Sequence, residues 1–219
     1  ILAAAGIPLC KGGVMARNPE WRHTREGWRR QVDQWISRKE GESLLNIDIF
    51  FDFQPVHGDF ALAEELRAHA LEAAAGAPLF LRLLAADLER MRAPIGFFGR
   101  IRTKNGRFDI KMGGLFPLVT AARVLAIRNR VAALSTADRL AALVARGGLG
   151  AADAEQMGGA HRLLTEIHLE QQIADVGAGL APGNLVDPRR LPSARRRLLK
   201  QALQDSDLAA DVVQSNLSG

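Results

Sequence analysis

Residues 44–59, "LLNIDIFFDFQPVHGD", decide how this chain is read. Aromatic and β-branched residues alternate there with polar ones, and Pro55 and Gly58 close the run, which predicts a strand. Side chains alternate across a strand. Leu45, Ile47, Ile49, Phe51 and Phe53 then share an apolar face, while Asn46, Asp48, Phe50, Asp52 and Gln54 share one that is polar apart from Phe50. A slip of register would bury both aspartates, so the pattern fixes which face meets the core. Two readings stay open: a half-buried edge strand with a solvated face, or an open sheet face that binds Mg²⁺ and a polyphosphate through its carboxylates. Four strand residues span roughly 13 Å, too far for Asp48 and Asp52 to hold one metal together, so carboxylates from another strand would be needed. Asp205-Ser206-Asp207 has a suitable spacing, but it lies in helical context, where helix breaking or capping is expected.

Before this run, residues 1–8 read as the end of a helix stopped by Gly6 and Pro8, with no initiator methionine, as in a piece of a longer polypeptide. Residues 9–16 are short, apolar and glycine-containing, and could form a strand. Asn18-Pro19-Glu20 starts a helix, with Asn18 as cap and Pro19 at the first helical position. Trp21, Trp28, Val32 and Trp35 then fall on one helical face, as expected of core anchors rather than a stacking platform.

After residue 59 the texture becomes alanine, leucine and charge at helical period. Helices are expected over 59–75, 78–92, 114–130, 136–146, 151–176 and 193–217, the last open to a break near Asp205 to Asp207. Gly76-Ala77-Pro78, Ala93-Pro94 and Gly147-Gly148 supply the stops. Ser135 with Asp138 marks a capped start. Between residues 97 and 111, Lys104-Asn105-Gly106-Arg107 is a turn suited to a short hairpin.

The totals exclude some classes. The chain has 219 residues, 47% hydrophobic and 24% charged, enough for one large domain or two small ones. No run approaches a membrane span. A single cysteine, Cys10, rules out an internal disulfide and fits a cytoplasmic location. The net charge of +5 suits a phosphate-bearing ligand as well as a nucleic acid. The basic cluster from Arg189 to Lys200 lacks interleaved aromatics, so nucleic acid is not the expected partner. His161 and His168 lie roughly 10 Å apart along a helix and cannot share a zinc; they read as a polar seam or surface.

Three segments carry a family resemblance: "CKGGVMARNPEWR" (10–22), "IFFDFQPVHGD" (49–59) and "FDIKMGGLFPLVTAARVLAI" (108–127). They are similar to segments, in the same order, of bacterial nucleotidyltransferases related to the uridylyltransferase of the PII signal protein. The resemblance implies an α+β, predominantly α fold. Residues 1–58 would be the C-terminal part of a nucleotidyltransferase-type α/β domain, and residues 59–219 a helical bundle that binds substrate. It implies transfer of a nucleoside monophosphate from a nucleoside triphosphate to a protein or small-molecule acceptor, in signal transduction. The parent protein would carry a regulatory cystathionine-β-synthase-type or cyclic-nucleotide-binding domain.

In that family a Gly-Ser motif binds the nucleotide phosphates, an Asp-x-Asp pair holds two Mg²⁺ ions, and a later strand adds a third carboxylate. Asp52 matches the third carboxylate and is the expected catalytic and metal-binding residue, with Asp48 a second candidate. Gln54, Lys111, Gly113, Gly114, Lys11 and Arg17 are the expected substrate-binding positions. Lys11-Gly12-Gly13 also reads as a plain turn, and Gly113-Gly114 as a flexible helix start. The chain departs from the pattern at Gln54, where arginine is usual, and at Thr120, where aspartate is common. The Gly-Ser and Asp-x-Asp segments would precede Ile1. Mg²⁺ is therefore expected only with the complete catalytic domain, and this chain alone is expected to be inactive. The alternative is a helical binding or regulatory module with no catalysis of its own.

Overall fold

The computed structural model describes residues 3–38, 41–89, 91–96 and 99–218. The chain is mostly helical with a little sheet, as the sequence predicts. Thr24 caps α1 (Arg25–Ser37) by accepting from Gly27 N–H. α2 is Gly41–Phe50. Asp59 caps α3 (Phe60–Ala75), accepting from Ala61 N–H, and Pro78 opens α4 (Pro78–Ala85). A π-helical turn over Lys111–Leu115 leads into α5 (Phe116–Arg128). α6 (Thr136–Ala145), α7 (Ala151–Gly177) and α8 (Ser193–Ser218) complete the bundle. β1 (Phe108–Asp109) pairs antiparallel with β2 (Leu185–Val186), in register Phe108 to Val186. Among the described residues no helix is long and apolar enough to cross a membrane.

Two cores result. Val32, Trp35, Ile47, Phe50, Phe51, Leu71 and Phe80 form an aromatic one between α1, α2, α3 and α4. The other is aliphatic, with Leu118, Leu125, Leu143, Leu164, Ile167, Leu199 and Leu203 drawn from α5 to α8. α5 is buried on every side along Leu118 and Thr120 to Ile127. A helix hydrophobic all round is a central one, and it touches both cores through Ile127 and its neighbours.

The strand expected over residues 44–54 is helix α2 and the turn that ends it. Phe51 N–H donates to Ile47 O, and Asp52 N–H to Ile49 O. Burial follows the helical period: Ile47, Phe50 and Phe51 are buried, whereas Ile49 is 40% exposed. The side chains of Leu44 and Leu45 lie outside the described residues. A short apolar run cannot be separated into strand or helix by its period alone, and here packing of i, i+3 and i+4 on the tryptophans wins. No strand forms at residues 9–16, which are turn and extended chain.

Asn18 caps only the short 3-10 turn Pro19–Trp21, and the helix bearing Trp28 and Trp35 starts at its own cap, Thr24. The tryptophans anchor to Phe50 of a helix rather than to a sheet, with Trp28 and Phe50 ring centroids 5.6 Å apart. The expected helix 78–92 stops at Ala85 and tightens into a 3-10 turn over Ala86–Glu89; residue 90 lies outside the described residues, as do 1, 2 and 97. α8 runs unbroken through Asp205 to Asp207. These residues hold the helix in place: Asp205 accepts from Gln156 and Gln201, and Asp207 from Ala93 N–H. The Lys104–Arg107 turn forms as expected, with Asn105 at φ 54° and Gly106 at φ 80°.

Candidate functional site

Asp48 lies in the last turn of α2 and Asp52 in the turn that follows it, where Asp52 N–H donates to Ile49 O. The roughly 13 Å span of the strand reading does not apply, since residues four apart on a helix have Cβ atoms about 5–6 Å apart. Both acids reach one guanidinium. Arg123 Nη1 donates to Asp48 Oδ1 at 2.6 Å and Nη2 to Asp52 Oδ2 at 2.5 Å. Arg139, in the first turn of α6, donates from Nη2 to the other Asp52 oxygen at 2.5 Å and from Nε to Ala133 O at 3.0 Å. Both arginines are buried. Neighbouring Arg67 donates to Phe53 O and lies over the Phe53 ring at 4.4 Å.

The two acids differ. Burial pushes the Asp48 carboxyl above its ordinary value, and the charge of Arg123 only partly offsets this. Burial acts on Asp52 in the same sense, but the hydrogen bonds and charges of Arg123 and Arg139 outweigh it and hold that carboxyl below its ordinary value. Burial works against the charge of Arg123, yet its two carboxylates keep its pKa raised. Its Nε is a buried nitrogen without a hydrogen-bond partner among the described residues.

This cluster forms one wall of a cavity of about 850 Å³ between α1, α2 and α3, within the size range of small-molecule sites. Trp21, Trp28, Phe50 and Phe53 supply an apolar wall, and His23, Arg25, Arg29 and His57 stand at its polar parts. Asp48, Asp52 and Arg123 all line it.

The other expected site residues are elsewhere. Lys11, Arg17 and Gln54 are exposed and do not line this cavity. Lys111 is exposed in the π-helical turn. Gly113 and Gly114 are buried packing positions: a Cβ on Gly113 would lie 2.7 Å from Pro94 Cδ, and one on Gly114 2.9 Å from Leu164 Cδ1. His168 and Gln172 both bond to Gly183 O, so His168 serves a polar seam rather than a metal. The arginines 123 and 139 were not singled out from the sequence. The signal was present for Arg123, a charge inside the apolar run "LVTAARVLAI", because a charge buried on a central helix requires a partner.

Mg²⁺ takes oxygen ligands in near-octahedral array. Both Asp52 oxygens instead accept from guanidinium groups. Among the described residues no group of three His, Cys, Asp or Glu side chains is placed to hold a metal. The described donors, as they stand, do not fit that cation.

No curated protein and no solved structure matches the chain. Two family models do. Residues 1–42 match one described as a putative nucleotidyltransferase, and residues 78–216 match the "Putative nucleotidyltransferase substrate binding domain". Asp48 and Asp52 fall between the two matches, whereas the cavity draws Trp21 and Trp28 from the first and Arg123 from the second. The second match spans more than half of the sequence, and the chain belongs to the family of the putative nucleotidyltransferase substrate binding domain.

Proposed function

We propose that this chain is the substrate-handling part of a nucleotidyltransferase similar to PII uridylyltransferase, which moves a nucleoside monophosphate from a nucleoside triphosphate to a protein or small-molecule acceptor. The observation that carries the reading is the cavity, walled by residues from both matched spans and by the segment that joins them. Such a reaction is accelerated mainly by positioning and by electrostatic stabilisation. The cavity offers both means: aromatic faces for a planar ring, and arginines for an anion. Asp48 and Asp52 serve it by orienting Arg123 and Arg139. The Mg²⁺ that the resemblance implies is left to the Asp-x-Asp segment expected upstream of Ile1. A regulatory cystathionine-β-synthase-type or cyclic-nucleotide-binding domain in the parent protein and a cytoplasmic location belong to the same reading.

The test compares this chain with a version extended by its natural upstream sequence. Each is incubated with α-labelled UTP and the other ribonucleoside triphosphates, with purified PII protein or a metabolite mixture as acceptor. Label is expected on an acceptor only with the extended chain. Turnover by this chain alone would overturn its assignment as a dependent part, and no transfer by the extended chain would favour a binding module without catalysis.

A further inference from the structure

We propose that Arg123 is the anion-binding residue of the cavity, and that Asp48 occupies its guanidinium until a ligand phosphate takes the carboxylate's place. The inference rests on the reading of the cavity as a substrate site.

Of the acids on the cavity wall, most are already engaged, and one arginine is not. Asp59 is engaged by Ala61 N–H at the start of α3. Glu65 pairs with Arg25. Asp52 pairs with both Arg123 and Arg139. Arg29 has no ion pair or hydrogen bond among the described residues, so this wall holds one cation free to meet an anion. Its neighbours Trp21 and Trp28 give the rest of a ligand an apolar seat.

The two acids on Arg123 are not equally held. Asp52 has a second arginine and stays. Asp48 has one bond, from Arg123 Nη1, and its side chain keeps 29% of its exposure at the cavity edge. Burial opposes its ionised form, which makes it the acid more readily displaced. A carboxylate and a phosphate present the same pair of oxygens to a guanidinium fork, so Asp48 stands where a ligand phosphate would bind. Arg123 itself is fixed by α5, which is packed on all sides. Its Nε–H, buried without an acceptor, is a donor that a phosphate oxygen could engage once the cluster rearranges.

The experiment titrates this chain with uridine 5′-monophosphate, ribose 5-phosphate and uridine, following tryptophan fluorescence and calorimetric heat. Uridine 5′-monophosphate is expected to bind and uridine to bind far more weakly. Asp48→Asn removes the competing charge and is expected to tighten the phosphate-bearing probes about tenfold while leaving uridine unchanged. Arg123→Lys should lose most of that binding, and Arg29→Ala should weaken it and flatten its salt dependence. Unchanged or weaker binding by a folded Asp48→Asn variant overturns the exchange while leaving the cavity as a substrate site. Equal binding of uridine and its phosphate also overturns it. If no probe binds the wild type or Asp48→Asn, the reading of the cavity fails as well.

Discussion

The two cores of this molecule are built on different terms. Around α5 to α8, leucines and alanines close so tightly that Gly113 and Gly114 leave no room for a methyl group. Around α1 to α3, rings meet at open angles, Trp21 with Trp28 at 6.2 Å and 53°, and a cavity of about 850 Å³ remains beside them. The first arrangement gains its stability from close packing. The second is joined to it by ion pairs on two buried arginines, Asp48 and Asp52 of one region on Arg123 and Arg139 of the other. A buried pair adds little net stability over an apolar contact, but breaking it is costly. Under the proposed function the bundle is framework and the aromatic region recognises the substrate.

The sharpest way to break the comparison is to open the tight core. Leu164 is fully buried against Gly114, and Leu164→Ala is expected to cost about 2–5 kcal/mol in chemical denaturation. A loss below about 1 kcal/mol would mean that the bundle is no better packed than the aromatic region.

Next in size is the joint between the cores. Asp52→Asn leaves Arg139 buried with its carboxylate partner gone. The Asp52 side chain is 39% exposed, so solvent screening reduces the expected cost to about 1–2 kcal/mol. Asp48→Asn should cost less, because burial already disfavours the ionised form. A larger loss at Asp48 than at Asp52 would reverse their assigned roles.

Acid sharpens the contrast within the bundle. The bidentate hydrogen bond from Arg107 holds Asp175 below the ordinary carboxylate range. A depressed acid contributes stability that is complete above its unfolded value, about 3.9, and is lost as pH falls through the lower folded value. Asp52 adds a contribution of the same sign. Thermal melting between pH 6 and 2 is therefore expected to fall most steeply at the acid end, and Asp175→Asn to flatten that limb. The smallest effect is at Lys111, exposed and without a resolved partner role. Lys111→Ala should change stability by less than about 0.5 kcal/mol, so any loss of transfer by the extended protein would report on substrate contact alone.

Much of the framework was legible because capping and period agree there. Ser135 and Asp138 mark the start of α6, Asp59 the start of α3, and Gly147 the end of α6. The aromatic region was not, for a local reason. In "NIDIFFDF" an alternating pattern and a helical one coexist, and only contact with Trp28 and Trp35 selects the second. Choosing the strand placed Phe50 outside and Ile49 inside, the reverse of what packing does. It also set Asp48 and Asp52 far apart, which hid their shared arginine. That arginine comes from a helix 75 residues away in sequence from Asp48, beyond the reach of any short-range pattern.

Hydrogen exchange on the upstream-extended protein, with and without a nucleoside triphosphate, tests the division of labour most directly. The expected result is new protection along α1, α2, the start of α3 and the turn around Arg123, with α7 and α8 unchanged. Protection confined to α6 and α7, with the aromatic region indifferent to ligand, would contradict the account.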